Sequence, residues 1–111
     1  MSILHLTLKK KWFDMIASGE KKEEYRELSD YWCRRFLGLE WFRIHREAMH
    51  RAIKANYSII HFRNGYSSQS PFLTIECKGI TVGNGRSEWG GGNLTFIIKL
   101  GEIIAIGNYN Q

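Results

Sequence analysis

The second half of the chain most constrains the fold, because it contains several strand-like segments with no helical pattern between them. Residues 57–63 and 72–82 are rich in β-branched and aromatic side chains, and Gly79 predicts a bulge in the second segment. Residues 94–106 predict one or two further strands, broken at Gly101. A doubly wound parallel sheet requires helices between its strands, so these segments exclude it and favour an α+β fold.

The first half begins with a strand and a short helix. Residues 3–8 alternate apolar and polar side chains, which is typical of a strand. Residues 12–16 then carry apolar groups at the spacing of an amphipathic helix. Ser18 and Gly19 predict its end, because glycine accepts the left-handed backbone of a helix C-cap.

The most charged segment, residues 20–27, is also predicted to be a strand. As a helix it would be polar all round, whereas as a strand it separates into two faces. One face would carry Lys22, Glu24 and Arg26. The other would carry Lys21, Glu23, Tyr25 and Glu27. We therefore place it at the wall of a cleft.

Two further helices are predicted before the strands of the second half. Asp30 is placed to cap a helix that begins at Tyr31 and breaks near Gly38. The stripe predicted along this helix comprises Trp32, Arg35, Phe36 and Leu39. A second helix is predicted over residues 41–55, with one face formed by Phe42, Met49 and Ile53. Residues 34–54 contain six Lys or Arg against two Glu, an excess that accounts for most of the net charge of +5.

Length, charge and cysteine usage limit the class of protein. The chain has 111 residues, which suits one domain spanning residues 1–111. A net charge of +5 favours partners that carry phosphate. Two cysteines without a paired motif predict reduced thiols. No segment has the ~20 apolar residues of a membrane span, so a cytoplasmic location is expected.

Several of these segments resemble the ASCH family, a branch of the PUA-like barrels. The most specific is residues 10–26, which resembles the family's helix, its S-G-x-K turn and its E-x-R strand. Residues 30–35, 64–66 and 88–90 resemble a subgroup often encoded by bacteriophages, and residues 98–102 fit as a strand. The resemblance covers nearly the whole chain and is weakest between Gly38 and Ala55.

The resemblance implies a fold and a choice of functions. It implies a PUA-like mixed β-barrel of five to six strands with two to three flanking helices. Family members are proposed to bind RNA. Some resemble amidohydrolases that deacylate a modified cytidine, and others have been described as ribonucleases. The amidohydrolases use a threonine nucleophile at the position matching Glu24, so the present chain lacks that hydroxyl.

The residues themselves suit a site for RNA or a nucleotide. Lysine supplies a point charge to phosphate, arginine can form a two-pronged hydrogen bond, and an aromatic ring can stack on a base. The predicted binding residues are Lys11, Lys21, Lys22, Glu24, Arg26, Arg35, Asn64, Tyr66 and Trp89. For each, an ordinary role in an ion pair, a turn or a packed loop is the competing interpretation.

Two rival functions stay open at this point. The first is a metal-independent hydrolase acting on RNA or an acylated cytidine, with Lys21 and Glu24 as its acid and base. The second is a protein-interaction factor. The four histidines are scattered through the sequence, so no metal site is predicted, and no cofactor is expected.

Overall fold

A computed structural model describes residues 2–109, which form an α+β fold around one mixed sheet. The strands are β1 (Ile3–Thr7), β2 (Glu23–Arg26), β3 (Ile59–Arg63), β4 (Phe72–Gly83) and β5 (Thr95–Gly107). The α-helices are α1 (Lys10–Ala17) and α2 (Asp30–Leu37). Short 3₁₀ helices occupy Trp41–Arg43, Arg46–Arg51 and Ser87–Trp89.

The sheet has the strand order β1-β3-β4-β5-β2, so the first two strands of the chain form its two edges. β1 pairs with β3 in parallel, and the other three pairs are antiparallel. The sheet curls into a half-barrel that brings the two edges close together. At one end the Arg26 guanidinium on β2 donates from Nη2 to the Thr7 carbonyl on β1, at 3.2 Å. The predicted barrel-like α+β fold is confirmed.

The core lies inside this curl, under the two α-helices. Strand side chains alternate between the core and the outer surface, as the pleat of a strand requires. The strands contribute Leu4, Leu6, Ile60, Phe62, Leu73, Ile75, Phe96 and Ile98. The helices contribute Phe13, Ile16, Cys33, Phe36 and Leu37. The two helices therefore close the interior that the half-barrel leaves open.

The helix starts and stops follow the sequence closely, with one correction. α1 ends at Ala17 with Ser18 as its C-cap, and Gly19 takes the predicted left-handed backbone, with φ +86°. α2 also ends at Gly38 as predicted. Its cap, however, is Ser29 rather than Asp30, because the Ser29 hydroxyl accepts from the Trp32 N–H and Asp30 is already helical.

The predicted helix over residues 41–55 is wrong. Two 3₁₀ helices and irregular chain replace it. Of the three residues expected on its apolar face, Met49 is buried, Ile53 is partly buried and Phe42 is 65% exposed. A continuous helix would therefore have had no full face to bury, and burial of a face provides most of a helix's stability. Leu39, predicted on the stripe of α2, lies beyond the helix and is also exposed.

β3 begins at Ile59 rather than at Tyr57 as predicted, whereas β4 and β5 lie within one residue of the predicted bounds. Gly79 has φ +137° and lies at a register shift between β4 and β5, so the predicted bulge is confirmed. Gly101 does not divide this segment into two strands as predicted, because β5 is one strand of 13 residues that includes Gly101. The pairing of β4 with β5 has further register shifts on either side of Ile75.

Candidate nucleotide-binding cleft

An open cleft follows the seam where the two edges of the sheet approach each other. It consists of two adjoining hollows that share Thr7, Leu8, Lys9, Arg26 and Trp32. The larger hollow, here the β1 lobe, has a volume of about 570 Å³ and is completed by His5, Leu6, Asn64, Gly65 and Tyr66. The smaller, here the β2 lobe, has about 440 Å³ and is completed by Trp12, Glu24, Tyr25 and Glu27. We call the whole the seam cleft.

Arg26 lies at the centre of the seam cleft because β2 is an edge strand. Its Nη2 donates to Glu24 Oε2 at 2.7 Å as well as to the Thr7 carbonyl. The guanidinium carbon lies 5.3 Å from the centre of the Trp32 ring. Its Nε is buried and has no acceptor within residues 2–109. The side chain is thus fixed on three sides while it still lines both lobes.

Behind Arg26, three charges form a continuous ladder of Lys21, Glu24 and Arg26. The Glu24 carboxylate receives Arg26 on one oxygen and Lys21 on the other, with Lys21 Nζ 3.2 Å from Oε1. Two positive charges therefore face one negative charge, which leaves the ladder with a net positive charge. Since Glu24 is mostly buried, this charge is poorly screened by water.

Lys21 lies deeper than the strand pattern predicts. It precedes β2, so the alternation of the strand does not apply to it, and it meets Glu24 instead of pointing to the opposite face. The side chain is 1% exposed, and Nζ donates to the Trp89 carbonyl at 2.5 Å. The Trp12 and Tyr25 rings also flank this ammonium. Burial lowers the pKa of Lys21, an effect that the nearby Glu24 carboxylate opposes.

Tyr25 attaches the glycine-rich loop between β4 and β5, residues 84–94, to the wall of the β2 lobe. Its hydroxyl donates to Glu23 Oε1 at 2.7 Å and accepts the Arg86 main-chain N–H at 3.0 Å. Burial of this hydroxyl raises the pKa of Tyr25 to about 12. The loop is thereby held in place by a neutral phenol.

Two predicted residues mark the mouth of the β1 lobe. Asn64 donates from Nδ2 to the Leu8 carbonyl at 2.8 Å, which fixes the turn after β3 to the end of β1. Gly65 has φ +124°, and a Cβ there would lie 2.6 Å from the Ser70 hydroxyl. The turn exposes 92% of Tyr66, whose ring is therefore free to receive a flat partner.

Besides Lys21, which is buried behind Glu24, four predicted residues do not line the seam cleft. Lys11 is exposed and lies over the outer side of the Trp12 ring, at 4.7 Å. Lys22 faces a separate small hollow beside Gly19. Arg35 is held by the hydroxyls of Tyr31 and Tyr57, and its bond to Tyr57 raises the pKa of Arg35.

Trp89 is the fourth. It is buried at the base of the loop, and its carbonyl rather than its ring meets Lys21. The Arg86 guanidinium lies 4.2 Å from the centre of its ring. The Trp89 ring is therefore packed and not presented to the cleft, which agrees with the competing interpretation of a packed loop.

Sequence reasoning missed three lining residues that matter chemically. Lys9 was passed over in favour of Lys11, although both belong to one run of three lysines after β1. Trp32 was assigned to a helix stripe, yet it lines both lobes while one side stacks on Phe36. Thr7 contributes main-chain atoms, which no side-chain pattern reveals.

The outer surface beside the β1 lobe carries a pair of histidines. His5 and His61 are register partners on β1 and β3, with ring centres 5.4 Å apart. Burial lowers the pKa of His61, and its Nδ1 lies 3.3 Å from the Thr74 hydroxyl. Within residues 2–109 no group of three His, Cys, Asp or Glu side chains converges as a metal site would require.

Comparisons of the chain with known proteins gave no match. The sequence matches no family model, and no significant match was found among curated proteins or solved structures. The ASCH resemblance accordingly stays a prediction. Across residues 2–109, no helix has the length and apolar character to cross a membrane.

Proposed function

We propose that the seam cleft binds a phosphate-bearing ligand, either single-stranded RNA or a nucleotide. The observation that carries the proposal is the charge of the β1 lobe. Lys9 and Arg26 line it, and no carboxylate from residues 2–109 is among its lining groups. Arginine held by other side chains loses little entropy when it meets phosphate, so a fixed Arg26 favours binding.

The exposed ring at the cleft supports a ligand that carries a base as well as phosphate. Tyr66 lies exposed at the mouth of the β1 lobe, whereas the Trp32 ring already contacts Phe36 and Arg26. Stacking on an aromatic side chain contributes roughly 1–3 kcal/mol per base. A cationic floor next to an exposed ring is a combination that binds single-stranded nucleic acid.

We also propose the ASCH family, in its phage-type subgroup, as the working assignment. Its support is the position of residues 18–26, where the turn after α1 leads directly into the strand that walls the cleft. The family resemblance implied that both elements line a binding cleft. The strand lines the seam cleft through Glu24, Tyr25 and Arg26, whereas the turn lies beside the separate small hollow at Gly19.

The alternative hydrolase has one observation in its favour. A buried lysine whose pKa is lowered stands beside a carboxylate, as an acid–base pair requires. Glu24 reaches the β2 lobe, but Lys21 lines neither lobe, and its ammonium is occupied by the Trp89 carbonyl. We therefore rank binding above catalysis.

Binding of a short, labelled single-stranded RNA tests the proposal by fluorescence anisotropy. Affinity should fall between about 50 and about 200 mM salt, with a log–log slope of about 0.7 for each phosphate contacted. Arg26→Ala should weaken binding at least tenfold, because it removes the fixed guanidinium. Arg43→Ala removes the same charge from an exposed ion pair outside the cleft and should change affinity less than threefold.

Two results would contradict this function. If affinity is insensitive to salt, the ligand does not contact the protein through phosphate. If Arg26→Ala and Arg43→Ala weaken binding equally, the seam cleft is not the binding site. Incubating RNA or acetylated cytidine with the protein in the presence of chelator distinguishes binding from metal-independent catalysis. Turnover that is lost in Glu24→Gln would favour the hydrolase over the binding module.

A further inference from the structure

The wall of the β1 lobe is formed by five consecutive residues of the chain, His5 to Lys9. Leu6 and Leu8 are each 5% exposed, with their side chains in the core. What they present to the cleft is therefore mostly main chain. Within residues 2–109 β1 is an edge strand that pairs with β3 alone, so one side of its backbone is not used by the sheet.

The hydrogen bonds between β1 and β3 show which backbone groups of β1 have no partner in the sheet. In a parallel pair, alternate residues of an edge strand turn both N–H and C=O toward the neighbouring strand, and the others turn theirs away. On this strand Leu8 donates its N–H to the Arg63 carbonyl, and the Ser2 carbonyl accepts from Ser58. Even-numbered residues therefore face β3. His5 and Thr7 turn their N–H and C=O toward the open seam.

The direction of the Arg26 side chain agrees with this assignment. Its Nη2 comes from the opposite edge of the sheet and donates to the Thr7 carbonyl. One acceptor of the free edge is thus already satisfied. The groups that remain are the His5 N–H, the His5 carbonyl and the Thr7 N–H, which place an acceptor between two donors.

The same contact limits what can occupy the edge. An added β-strand would have to pair with the free N–H and C=O groups of β1. Arg26 already occupies the Thr7 carbonyl, with Nη2 3.2 Å from its oxygen. An extended peptide therefore could not pair with β1 through Thr7 while this contact stands. A flat, short group that carries its own donors and acceptors does fit the lobe of about 570 Å³.

We infer that the free main-chain edge of His5 and Thr7 reads the hydrogen-bonding edge of a nucleobase, with the phosphate of the same ligand on Lys9 and Arg26. This inference rests on the proposed function and adds to it the part of the cleft that recognises the base. A nucleobase edge alternates donors and acceptors, as the free strand edge does. The ligand class is therefore a nucleotide with an unblocked base, not a sugar phosphate.

Proline substitution at the strand edge tests the inference, because proline removes one N–H and is tolerated where the sheet does not use it. Thr7→Pro removes the donor in the cleft. Ile3→Pro removes an equivalent free donor at the other end of β1, outside the lining residues, and is the matched control. Calorimetry would compare ribose 5-phosphate with the four 5′-nucleoside monophosphates.

We expect at least one nucleotide to bind tenfold or more tightly than ribose 5-phosphate. Thr7→Pro should remove most of this advantage, and Ile3→Pro should keep it. If all five ligands bind equally and all weaken in Arg26→Ala, base reading is wrong while the phosphate cleft stands. If none of them binds and RNA does not bind either, the proposed function fails together with the inference.

A measurement on the unaltered protein covers the case in which Thr7→Pro does not fold. Nitrogen-resolved proton NMR would follow the amide protons of His5 and Thr7 during titration. Their hydrogen exchange should slow when the preferred nucleotide is added and stay unchanged with ribose 5-phosphate. Equal behaviour with the two ligands would overturn the inference.

Discussion

Two regions of the chain are rich in charge, and the structure treats them in opposite ways. Within residues 21–26, the charges of Lys21, Glu24 and Arg26 are largely buried and bonded to one another at the seam. In residues 40–54 the arginines are exposed, and the ion pair of Arg43 with Glu40 leaves both side chains about 70% in water, at 72% and 67%. A basic composition alone would have favoured the second region as the anion site.

The difference shows that position in the fold matters more than the number of charges. An exposed arginine is surrounded by water and salt, which screen it beyond about 10 Å. Arg26 lies in a concave seam, is fixed by Glu24 and Thr7, and faces a lobe that is lined by no carboxylate of the described part of the chain. Low local dielectric and a fixed geometry make each of its contacts stronger.

The two regions should differ most in stability, and Glu24→Ala should show this as a loss of unfolding free energy. The substitution leaves the buried Lys21 ammonium without its carboxylate partner. Removing one member of a buried ion pair costs roughly 3–5 kcal/mol, so we expect about 3 kcal/mol of unfolding free energy to be lost. Urea denaturation with Glu40→Ala as the control should show ~0–1 kcal/mol for the exposed pair. Equal losses would mean that the two regions do not differ energetically.

A smaller effect concerns the pH dependence of folding. Burial raises the pKa of Tyr25 to about 12, above the usual value of 10.0. The folded state therefore holds this proton while the unfolded state releases it, and stability falls as pH rises from 10 to 12. The loss should be up to roughly 2–3 kcal/mol.

Tyr25→Phe should remove this decline, because phenylalanine has no proton to lose. Tyr66→Phe is the matched control, since Tyr66 is 92% exposed. The free energy of unfolding in urea would be measured at several pH values across the interval. Lys21 acts in the opposite direction, because a lowered pKa makes stability rise with pH until the normal lysine pKa is passed. A decline that persists in Tyr25→Phe would contradict the role of this phenol.

Much of the fold could be predicted from the sequence where local signals and tertiary packing agree. The segment from α1 through Gly19 to β2 follows from helical spacing, a glycine stop and alternation of charge. Residues 41–55 were predicted wrongly because spaced apolar residues indicate a helix only if a surface exists to receive them. The chain provides such a surface for Met49 and not for Phe42.

The candidate site was only partly predictable for a related reason. Arg26, Glu24, Asn64 and Tyr66 carry chemistry in their side chains, so their residue types pointed to a cleft that they do line. Thr7 lies 19 positions before Arg26 and meets it through a carbonyl. That contact depends on how far the sheet curls, which is a property of the whole fold.

The last prediction concerns the exposed arginines of residues 40–54, whose removal should change RNA affinity and stability very little. Replacing Arg46 and Arg51 by alanine removes two exposed charges from residues 40–54. Exposed charges far from a contact are screened by salt, so RNA affinity at physiological salt should change less than threefold. Stability should change by no more than about 0.5 kcal/mol for each exposed position. Anisotropy titration beside Arg26→Ala would measure the contrast. A tenfold loss in the double variant would show that this segment carries phosphate contacts of its own, and the seam would then be one part of a wider nucleic-acid surface.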